Sequence, residues 1–396
     1  LQLALAGFRT VLIDRDGVCK HTSFGNSGLI QCENVVPYAF PRQPLKVLSY
    51  ALNLAPEARL IWRDMPSLLP WLFAYWRHGA APRVRATAGA ARPLVQAAAL
   101  AHQEMAESAG TSHLLRPTGY LKVYRTAAAF DQAAVEDLAA AHTYGITLEL
   151  ITASDLKALE PGLMGAFAGA VYYRQPPSLA DPAELTNAYA THFEYIGGRI
   201  VTGDVRALTQ ESGGWSLAAG EITLVAPHVV LALGPWTNDV LQKLGKSLPI
   251  GFKRGYHMHY QPVSDVALTR PVMDAENGYL ITPMRRGIRL TTGAEFARRD
   301  RPPNTVQVDR AERAARGLIG LGPRLDDQVW LGARPCTPDL LPIIGQLPGH
   351  AGLWLNTAHH HLGLTLGPIS ARLLVEMMQG VDPFTDPTPY SPTRFF

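Results

Sequence analysis

Hydrophobic positions at the start of the chain follow first a helical and then a strand pattern. Residues 1–6 are apolar and helical in propensity, and Gly7 is placed as a helix stop. Thr10–Ile13 is an apolar run rich in β-branched residues, which predicts a buried strand of a parallel sheet that leads to Asp14. The order helix, glycine, strand, acid is typical of the second half of a nucleotide-binding βαβ unit.

The same order returns near the middle of the chain. Asp181–Ile196 predicts a helix that opens with an Asp-Pro pair, and two glycines end it before a strand at 199–202. A β-ribbon with a Gly-Gly turn follows, and residues 228–234 predict a buried strand that runs into a glycine. The pattern indicates an α/β architecture with more than one helix–strand unit.

The remaining segments predict a second layer of structure. Residues 47–110 and 127–144 predict helices, residues 119–126 predict a strand, and Ser154 is placed as the N-cap of a short helix. Residues 250–300 predict several strands, residues 305–321 a helix, and residues 352–358 a strand that leads through a loop into a long amphipathic helix.

Composition and charge restrict the function classes. The 396 residues are 47% hydrophobic and carry a formal charge of +3, which is typical of a two-domain enzyme and gives no support for nucleic-acid binding. Three scattered cysteines form no disulfide framework, so we expect a reducing, cytoplasmic compartment. The apolar stretch Leu68–Trp76 is too short to span a bilayer and is broken by Pro70. Domain core is the favoured interpretation of this stretch, and peripheral contact with the inner membrane is the alternative.

Asp14 occupies the position of the acid that binds ribose hydroxyls in a dinucleotide site. Such an acid follows the glycine fingerprint by about 20 residues, so the fingerprint would lie roughly 5–10 residues before Leu1. The sequence has no initiator Met and Leu1 resembles the middle of a helix, so we expect a chain truncated or processed at its start. The alternative is that Asp14 simply begins a loop.

Four segments carry a resemblance to a known family. They are HTSFGNSGLI at 21–30, VVLALGPWT at 229–237, GARPCTPDLLPIIG at 332–345 and NTAHHHLGLTLGPISARLLVEMM at 356–378. In this order they resemble the FAD-dependent D-amino-acid dehydrogenases, within the wider family of D-amino-acid, glycine and sarcosine oxidoreductases. Two features depart from the family pattern: the glycine fingerprint is absent, and Pro235 replaces the usual small residue.

The resemblance implies a set of FAD-binding residues. Asp14 would accept from the adenosine ribose, Arg15 would approach the adenine or pyrophosphate, and Val205 would lie against the adenine. Small polar residues and backbone N–H groups after the first strand would bind the pyrophosphate and the flavin edge, and a helix N-terminus would favour negative charge on the flavin. The implied residues here are Thr22, Ser23, Asn26, Ser27, Gly28, Leu29, Gly234, Gly363, Leu364 and Thr365. By composition alone, Arg15 would be a surface residue, Val205 core and the polar set turn residues.

The resemblance also implies a substrate site. Arg334 would clamp the substrate carboxylate with its guanidinium, with a structural pair to Asp339 as the alternative. Tyr256 and His257 would lie on a strand that faces the flavin, with Tyr279 as a further wall residue. Because Tyr256 and His257 alternate, at most one of them faces the pocket.

His359-His360-His361 raises the question of a metal site. Consecutive histidines cannot all aim at one ion, and no acidic residue has matching spacing, so we predict no metal site. His361 is instead expected to line the substrate pocket. Glycine oxidases have a second arginine at this point, so the loop indicates a different substrate.

The implied architecture is α/β (α+β), with a discontinuous Rossmann-like FAD-binding domain and a substrate domain built on a mainly antiparallel sheet. The FAD-binding part would take residues 1–46, 150–245 and 325–396, and the substrate part 47–149 and 246–324. Without its first strand, the chain is expected to bind FAD weakly or not at all.

The implied reaction is dehydrogenation of a D-amino acid, including D-proline or hydroxy-D-proline types, by hydride transfer from Cα to flavin N5. Electrons would then pass to a quinone or another acceptor. The alternatives are a glycine- or sarcosine-type amine oxidase, glycerol 3-phosphate oxidation, and a degenerate flavoprotein subunit without activity.

Overall fold

The computed structural model describes residues 1–220, 222–263 and 268–396. Its helices occur in the order that the hydrophobic pattern predicts, with one short helix, Thr237–Leu241, that was not predicted. They are α1 (Gln2–Leu5), α2 (Pro44–Ala51), α3 (Met65–His78), α4 (Ala81–Ser108), α5 (Ala127–Tyr144), α6 (Ala153–Leu159), α7 (Pro182–Tyr195), α8 (Thr237–Leu241), α9 (Val306–Ala315) and α10 (Gly363–Gln379). Within the described ranges, no helix combines the length and the apolar character needed to cross a bilayer.

A large mixed sheet of eleven strands dominates the fold. Its strands are β2 (Ala58–Leu60), β4 (Tyr120–Tyr124), β5 (Glu149–Thr152), β6 (Gly169–Tyr173), β13 (Gly251–Pro262), β14 (Val272–Asp274), β15 (Tyr279–Met284), β16 (Gly287–Thr292), β17 (Ala294–Phe296), β18 (Leu321–Arg324) and β19 (Trp330–Cys336). Most neighbours are antiparallel, and β13 pairs with β16 and β17 on one side and with β18 and β19 on the other. The sheet takes in β5, β6 and β19, which the sequence-based boundaries assign mainly to the FAD-binding part.

The strands predicted for the nucleotide-binding part of the chain form smaller sheets. β1 (Val11–Asp14) pairs in parallel with β8 (Arg199–Thr202), and β12 (Val229–Leu231) pairs in parallel with β21 (Leu353–Thr357), beside β20 (Ile343–Gln346). β9 (Thr209–Glu211), β10 (Gly214–Ala219) and β11 (Ile222–Ala226) form the predicted ribbon, and β3 (Leu115–Arg116) pairs with β7 (Ser178–Leu179).

The predicted burial of the first strand is wrong. Val11 is 39% exposed and Leu12 is 43% exposed, because β8 is the one strand that pairs with β1 among the residues that the structure describes. Its other side borders an open cavity rather than a neighbouring strand.

Side-chain caps begin three of the described helices, α5, α6 and α7. Asp181 caps α7 by accepting from the backbone N–H groups of Ala183 and Glu184, as the Asp-Pro start predicts. The predicted cap of α6 is wrong by two residues: Thr152, rather than Ser154, accepts from the backbone of Asp155.

Candidate active site

A cavity of about 1720 Å³ lies between the small parallel sheets and the large sheet. Its wall includes the end of β1, the end of β12, the start of α10 and residues of β13 and β19. Of the residues singled out from sequence, thirteen line it: Asp14, Arg15, Thr22, Ser23, Asn26, Ser27, Val205, Gly234, Tyr279, Arg334, His361, Gly363 and Leu364.

The carboxylate of Asp14 holds the loop that follows β1. Its Oδ1 atom accepts from the backbone N–H groups of Asp16 at 2.8 Å and Gly17 at 2.9 Å. Its Oδ2 atom accepts no hydrogen bond from the described residues and is available for a ligand hydroxyl. The neighbouring guanidinium of Arg15 is half-exposed and pairs with Asp16 at 3.1 Å.

Two side chains of the large sheet fix the loop at 22–28 against that sheet. Thr282 of β15 donates to the backbone carbonyl of Ser27 at 2.7 Å, and Arg289 of β16 donates to the carbonyl of Asn26 at 2.5 Å. Thr22 and Ser23 of the same loop line the cavity, as do Asn26 and Ser27. The segment therefore connects the two sides of the cavity.

Gly28, Leu29 and Thr365 lie behind the wall rather than in it. Gly28 has φ +78°, and a Cβ there would lie 2.9 Å from the carbonyl oxygen of Leu179, so only glycine fits without strain. Leu29 is buried, and the Thr365 hydroxyl accepts from the backbone N–H of Gln31 at 3.2 Å. These residues hold the loop on α10.

The start of α10 opens on the cavity. Gly363 and Leu364 line it, and the carbonyl of Leu364 is bonded at 2.9 Å by the buried ring of His102 on α4. Burial lowers the pKa of His102 to about 4, so the ring is neutral. The N-terminus of this 17-residue helix favours negative charge in the adjoining space.

Val205 and Gly234 follow β8 and β12 at the carboxyl edges of the two small parallel sheets. Val205 begins a 3-10 turn held by Asp204, and Gly234 begins another whose carbonyl accepts from Thr237 at 2.9 Å. Ligands bind at the carboxyl edge of open parallel sheets, so this position suits a nucleotide.

Arg334 of β19 is anchored through the backbone of the large sheet. Its Nη1 donates to the carbonyl of Gly293 at 2.9 Å and its Nη2 to that of Thr292 at 3.3 Å. A Cβ at Gly255 would lie 2.4 Å from Nη2, so the guanidinium packs directly over this glycine.

Lys253 is the direct cross-strand neighbour of Arg334 and also lines the cavity. Its ammonium donates to the Tyr75 hydroxyl and, at 3.3 Å, to the carbonyl of Tyr38. Burial, with Arg334 nearby, lowers the pKa of Lys253 to about 8. Neither cation forms an ion pair with an acid of the described residues; Asp339, the alternative partner for Arg334, pairs with Arg394.

Sequence reasoning missed Lys253, although the alternation that separates Tyr256 from His257 also puts Lys253 and Gly255 on the face of His257. Tyr256 lies on the opposite face, where its hydroxyl donates to Glu295 at 2.7 Å inside the core. His257 is on the cavity-side face but lies outside the wall, stacked on Trp330 at 4.7 Å.

Tyr279 lines the cavity, and its hydroxyl donates to Asp274 at 3.0 Å. Asp274 in turn pairs with Arg125 at 2.8 Å. The Tyr279 hydroxyl therefore donates its hydrogen bond to another side chain of the protein.

The three consecutive histidines form an uncharged part of the wall. Burial lowers the pKa of His359 to about 4 and of His360 to about 3, and burial beside Arg334 holds the pKa of His361 well below its usual range. His361 is bonded to Asn34 at 2.9 Å and His360 to Thr337 at 3.2 Å. Among the residues that the structure describes, no group of three His, Cys, Asp or Glu side chains is arranged to hold a metal ion.

The cavity suits a large polar cofactor. Its volume exceeds the roughly 300–1,000 Å³ of common small-molecule pockets, which leaves space for a dinucleotide and a substrate. Three buried polar atoms in its wall have no hydrogen-bond partner in the described chain: Thr291 Oγ1, Asn356 Oδ1 and His359 Nε2. Buried polar groups are normally satisfied, so these atoms fit a polar ligand such as FAD.

Comparison with protein families identifies the family to which the chain belongs. A family model described as DAO, FAD dependent oxidoreductase, matches residues 1–377. The chain belongs to this family of FAD-dependent oxidoreductases. The predicted family, oxidoreductase activity and FAD cofactor are thereby confirmed.

Curated relatives of this FAD-dependent oxidoreductase match it over nearly their full length. A protein named D-amino-acid oxidase from Bradyrhizobium diazoefficiens is 28% identical over 98% of this chain and 94% of its own length. One named D-amino acid dehydrogenase from Methylobacterium nodulans is 31% identical over 96% of this chain and 92% of its own length.

Solved structures agree with the fold. The oxidoreductase resembles glycine oxidase from Geobacillus kaustophilus with a TM-score of 0.73 at 22% identity, over 100% of this chain and 94% of that one. It resembles iminodiacetate oxidase from Chelativorans sp. BNC1 with a TM-score of 0.72 at 18% identity, over 98% and 94% of the two chains. The predicted fold class is confirmed.

Proposed function

We propose that this FAD-dependent oxidoreductase is a D-amino-acid dehydrogenase that oxidises its substrate at Cα. The observation that carries the proposal is one continuous cavity lined by Asp14 at a strand end and by the cationic pair Arg334 and Lys253 on the large sheet. The names of the curated relatives support the substrate class.

Arg334 is suited to hold the substrate carboxylate. An arginine has five N–H donors, and the carbonyls of Thr292 and Gly293 use two of those on Arg334. These two bonds fix the plane of the guanidinium, and the remaining donors can bind a carboxylate with little loss of side-chain freedom.

Lys253 adds a second positive charge beside that carboxylate. The neutral histidines at 359–361 add no charge beside it. An amino acid bound by its carboxylate at this point therefore has its Cα and amine held at a fixed distance from Arg334.

FAD, when bound, supplies the acceptor for the hydride that leaves Cα. Asp14, Thr22, Ser23, Asn26, Ser27, Val205 and Gly234 would hold it, and the N-terminus of α10 would stabilise negative charge on it. The chain's own contribution is to orient the substrate and exclude water from the reacting atoms. The imine product then hydrolyses in water, or remains cyclic when the substrate is D-proline or a hydroxy-D-proline.

Substitution of Arg334 tests the proposal in the FAD-loaded protein. Arg334→Gln should lower kcat/KM for D-amino acids about 10- to 150-fold, mainly through KM, because a charge-assisted bond to the carboxylate is lost. Arg334→Lys is the matched variant that keeps the charge and should retain part of the activity. FAD content and thermal midpoint are measured on both.

An Arg334→Gln variant with normal FAD content and unchanged KM would contradict the assignment of the carboxylate site. Electron acceptors are compared in the same assay: faster turnover with a quinone than with oxygen is expected of a dehydrogenase, and the reverse result of an oxidase.

A further inference from the structure

A buried hydroxyl without a hydrogen-bond partner lies on the large-sheet side of the cavity. Thr291 of β16 is 8% exposed and lines the cavity, and its Oγ1 atom has no partner in the described chain. The two other wall atoms of this kind belong to Asn356 and His359, on β21 and just after it, on the nucleotide-binding side. Because buried polar atoms are normally satisfied, the hydroxyl of Thr291 indicates a polar ligand against the large sheet.

Strand register puts Thr291 on the same face of the large sheet as the two cations. Thr291 is the direct partner of His257 on β13, and Arg334 is the direct partner of Lys253 on the same strand. Positions 253, 255 and 257 share one face of β13, because alternate residues of a strand point the same way. The hydroxyl and the two cations therefore border the same space.

The spacing between Thr291 and Arg334 fits the two polar groups of an α-amino acid. The guanidinium donates to the carbonyl of Gly293 at 2.9 Å, and Thr291 lies two residues before that glycine, or about 6.6 Å along an extended chain. The amine nitrogen of an amino acid lies about 2.7 Å from the nearer carboxylate oxygen, and hydrogen bonds of about 2.9 Å at each end give a reach of about 8.5 Å. A substrate bound by its carboxylate to Arg334 can therefore present its amine to Thr291.

A hydroxyl is a suitable acceptor for an amine that reacts in its neutral form. An ammonium group has no lone pair with which to form an imine, so a carboxylate partner, which stabilises the ammonium, would oppose the reaction. The Thr291 hydroxyl accepts an N–H without adding negative charge, and the two cations lower the pKa of an amine bound beside them. Glu57 also lines the cavity and packs its backbone on Gly293, but its carboxylate pairs with Lys46.

The strand neighbours of Thr291 add no charge. Leu280 of β15 is its direct partner on one side, and His257 is its partner on the other. Burial, with Arg289 nearby, lowers the pKa of His257 to about 2, so this ring is neutral. Neither neighbour competes with the hydroxyl for the amine through charge.

We propose that the Thr291 hydroxyl accepts a hydrogen bond from the substrate amine. The carboxylate at Arg334 and the amine at Thr291 are then both fixed, which restricts the orientation of Cα between them. The inference rests on the proposed function, because it requires the carboxylate to bind at Arg334.

Thr291→Val tests the proposal in the FAD-loaded full chain, since valine has nearly the shape of threonine and lacks the hydroxyl. The probes are a D-amino acid and the acid that lacks its amine: D-alanine with propanoate, and D-proline with cyclopentanecarboxylate. The variant should lower kcat/KM for the D-amino acid about 5- to 15-fold, the effect of one lost hydrogen bond. The inhibition constant of the acid without the amine should stay within about twofold, because its bond to Arg334 is kept.

Two matched variants accompany it. Thr291→Ser keeps the hydroxyl and should retain kcat/KM within about threefold. Thr186→Val on α7 also changes the cavity wall, but the Thr186 hydroxyl already donates to the carbonyl of Pro182 at 2.9 Å, so both constants should stay unchanged. Without substrate, the thermal midpoint of Thr291→Val should equal or exceed that of the wild-type protein, because an unpartnered polar group is no longer buried.

An unchanged kcat/KM in Thr291→Val, or equal losses for the D-amino acid and for the acid without the amine, would overturn the proposal. Weaker FAD binding with unchanged kinetics would also overturn it and would assign the hydroxyl to the cofactor. Arg334→Gln separates these failures from a failure of the proposed function, because it should weaken both probes whatever Thr291 does. If Arg334→Gln weakens neither probe, the carboxylate site and the role of Thr291 fail together.

Discussion

Positive charge in the substrate part of the cavity comes from two side chains that strand pairing makes neighbours. Lys253 and Arg334 lie 81 positions apart in the sequence, yet they are direct partners in the register of β13 and β19. The guanidinium of Arg334 packs over Gly255, and the ammonium of Lys253 is held by Tyr75 and Tyr38. Two cations without an acidic partner are costly to bury, so a bound carboxylate should relieve part of their repulsion.

Lys253→Met is predicted to change the pH dependence of KM. In the wild-type protein Lys253 is charged below about pH 8 and loses its proton above it, so KM for a D-amino acid should rise through that range. The variant should show a KM about three- to tenfold higher at pH 7 and no such rise near pH 8. Lys20→Met, at an exposed cavity residue, should keep the wild-type profile; identical profiles in all three proteins would exclude a role for Lys253.

Glu33 should make stability depend on pH. Burial raises the pKa of its carboxyl from 4.5 to about 7, with Tyr120 donating to Oε1 at 3.0 Å and Oε2 left without a partner. The folded chain keeps the proton of this carboxyl up to about pH 7, whereas the unfolded chain loses it near pH 4.5. The resulting contribution to the free energy of unfolding is complete below pH 4.5 and is lost as the pH rises through about 7.

Glu33→Gln removes this carboxyl. We expect it to raise the free energy of unfolding at pH 8 by about 1–3 kcal/mol and to change it little at pH 5. Urea unfolding at the two pH values measures the difference, with the exposed Glu211→Gln as the control. A variant that is equally or more destabilised at pH 8 than at pH 5 would contradict the assignment.

At the level of elements, the segment between β1 and α2 joins the two sides of the cavity. Its backbone carbonyls accept from β15 and β16, and its Gln31 N–H donates to the start of α10. Three separate elements therefore position one loop, and that loop supplies polar groups to the proposed cofactor site.

Gly28→Ala should disrupt this loop. The substitution combines a left-handed φ of +78° with a Cβ placed 2.7 Å from Met284 Cε and 2.9 Å from the Leu179 carbonyl oxygen. We expect about 2–4 kcal/mol of destabilisation and weaker FAD binding. Gly110→Ala, with φ +67° and no atom within 4 Å, isolates the backbone effect and should cost about 1 kcal/mol. Equal losses for both variants would contradict the steric argument.

Local patterns predicted most elements because helix caps and strand periods are determined by neighbouring residues. The capping of α7 by Asp181 is one example. The exposure of β1 was not predictable in this way, because it depends on which strands lie beside it rather than on its own apolar residues. Likewise, the sequence indicated that Tyr256 and His257 face opposite ways but not which face borders the cavity. In the structure the cavity borders the face that carries Lys253 and Gly255. His257 is on the same face, but the cavity wall ends before it.

At the level of the whole molecule, function depends on how the nucleotide-binding sheets and the eleven-stranded sheet enclose one cavity. Asp14, the acid suited to ribose, lies on the nucleotide-binding side, and Arg334 and Lys253, the cations suited to a carboxylate, lie on the eleven-stranded sheet.

The most direct test of the proposed function is an anaerobic titration of the FAD-loaded protein with the two enantiomers of several amino acids, including proline and hydroxyproline. FAD binding is first established by fluorescence, so that a failure of loading is not mistaken for a failure of chemistry. The account predicts that at least one D-amino acid bleaches the flavin absorption band, and that its L-enantiomer does not. A loaded flavin that no D-amino acid reduces, or that L-enantiomers reduce equally well, would contradict it.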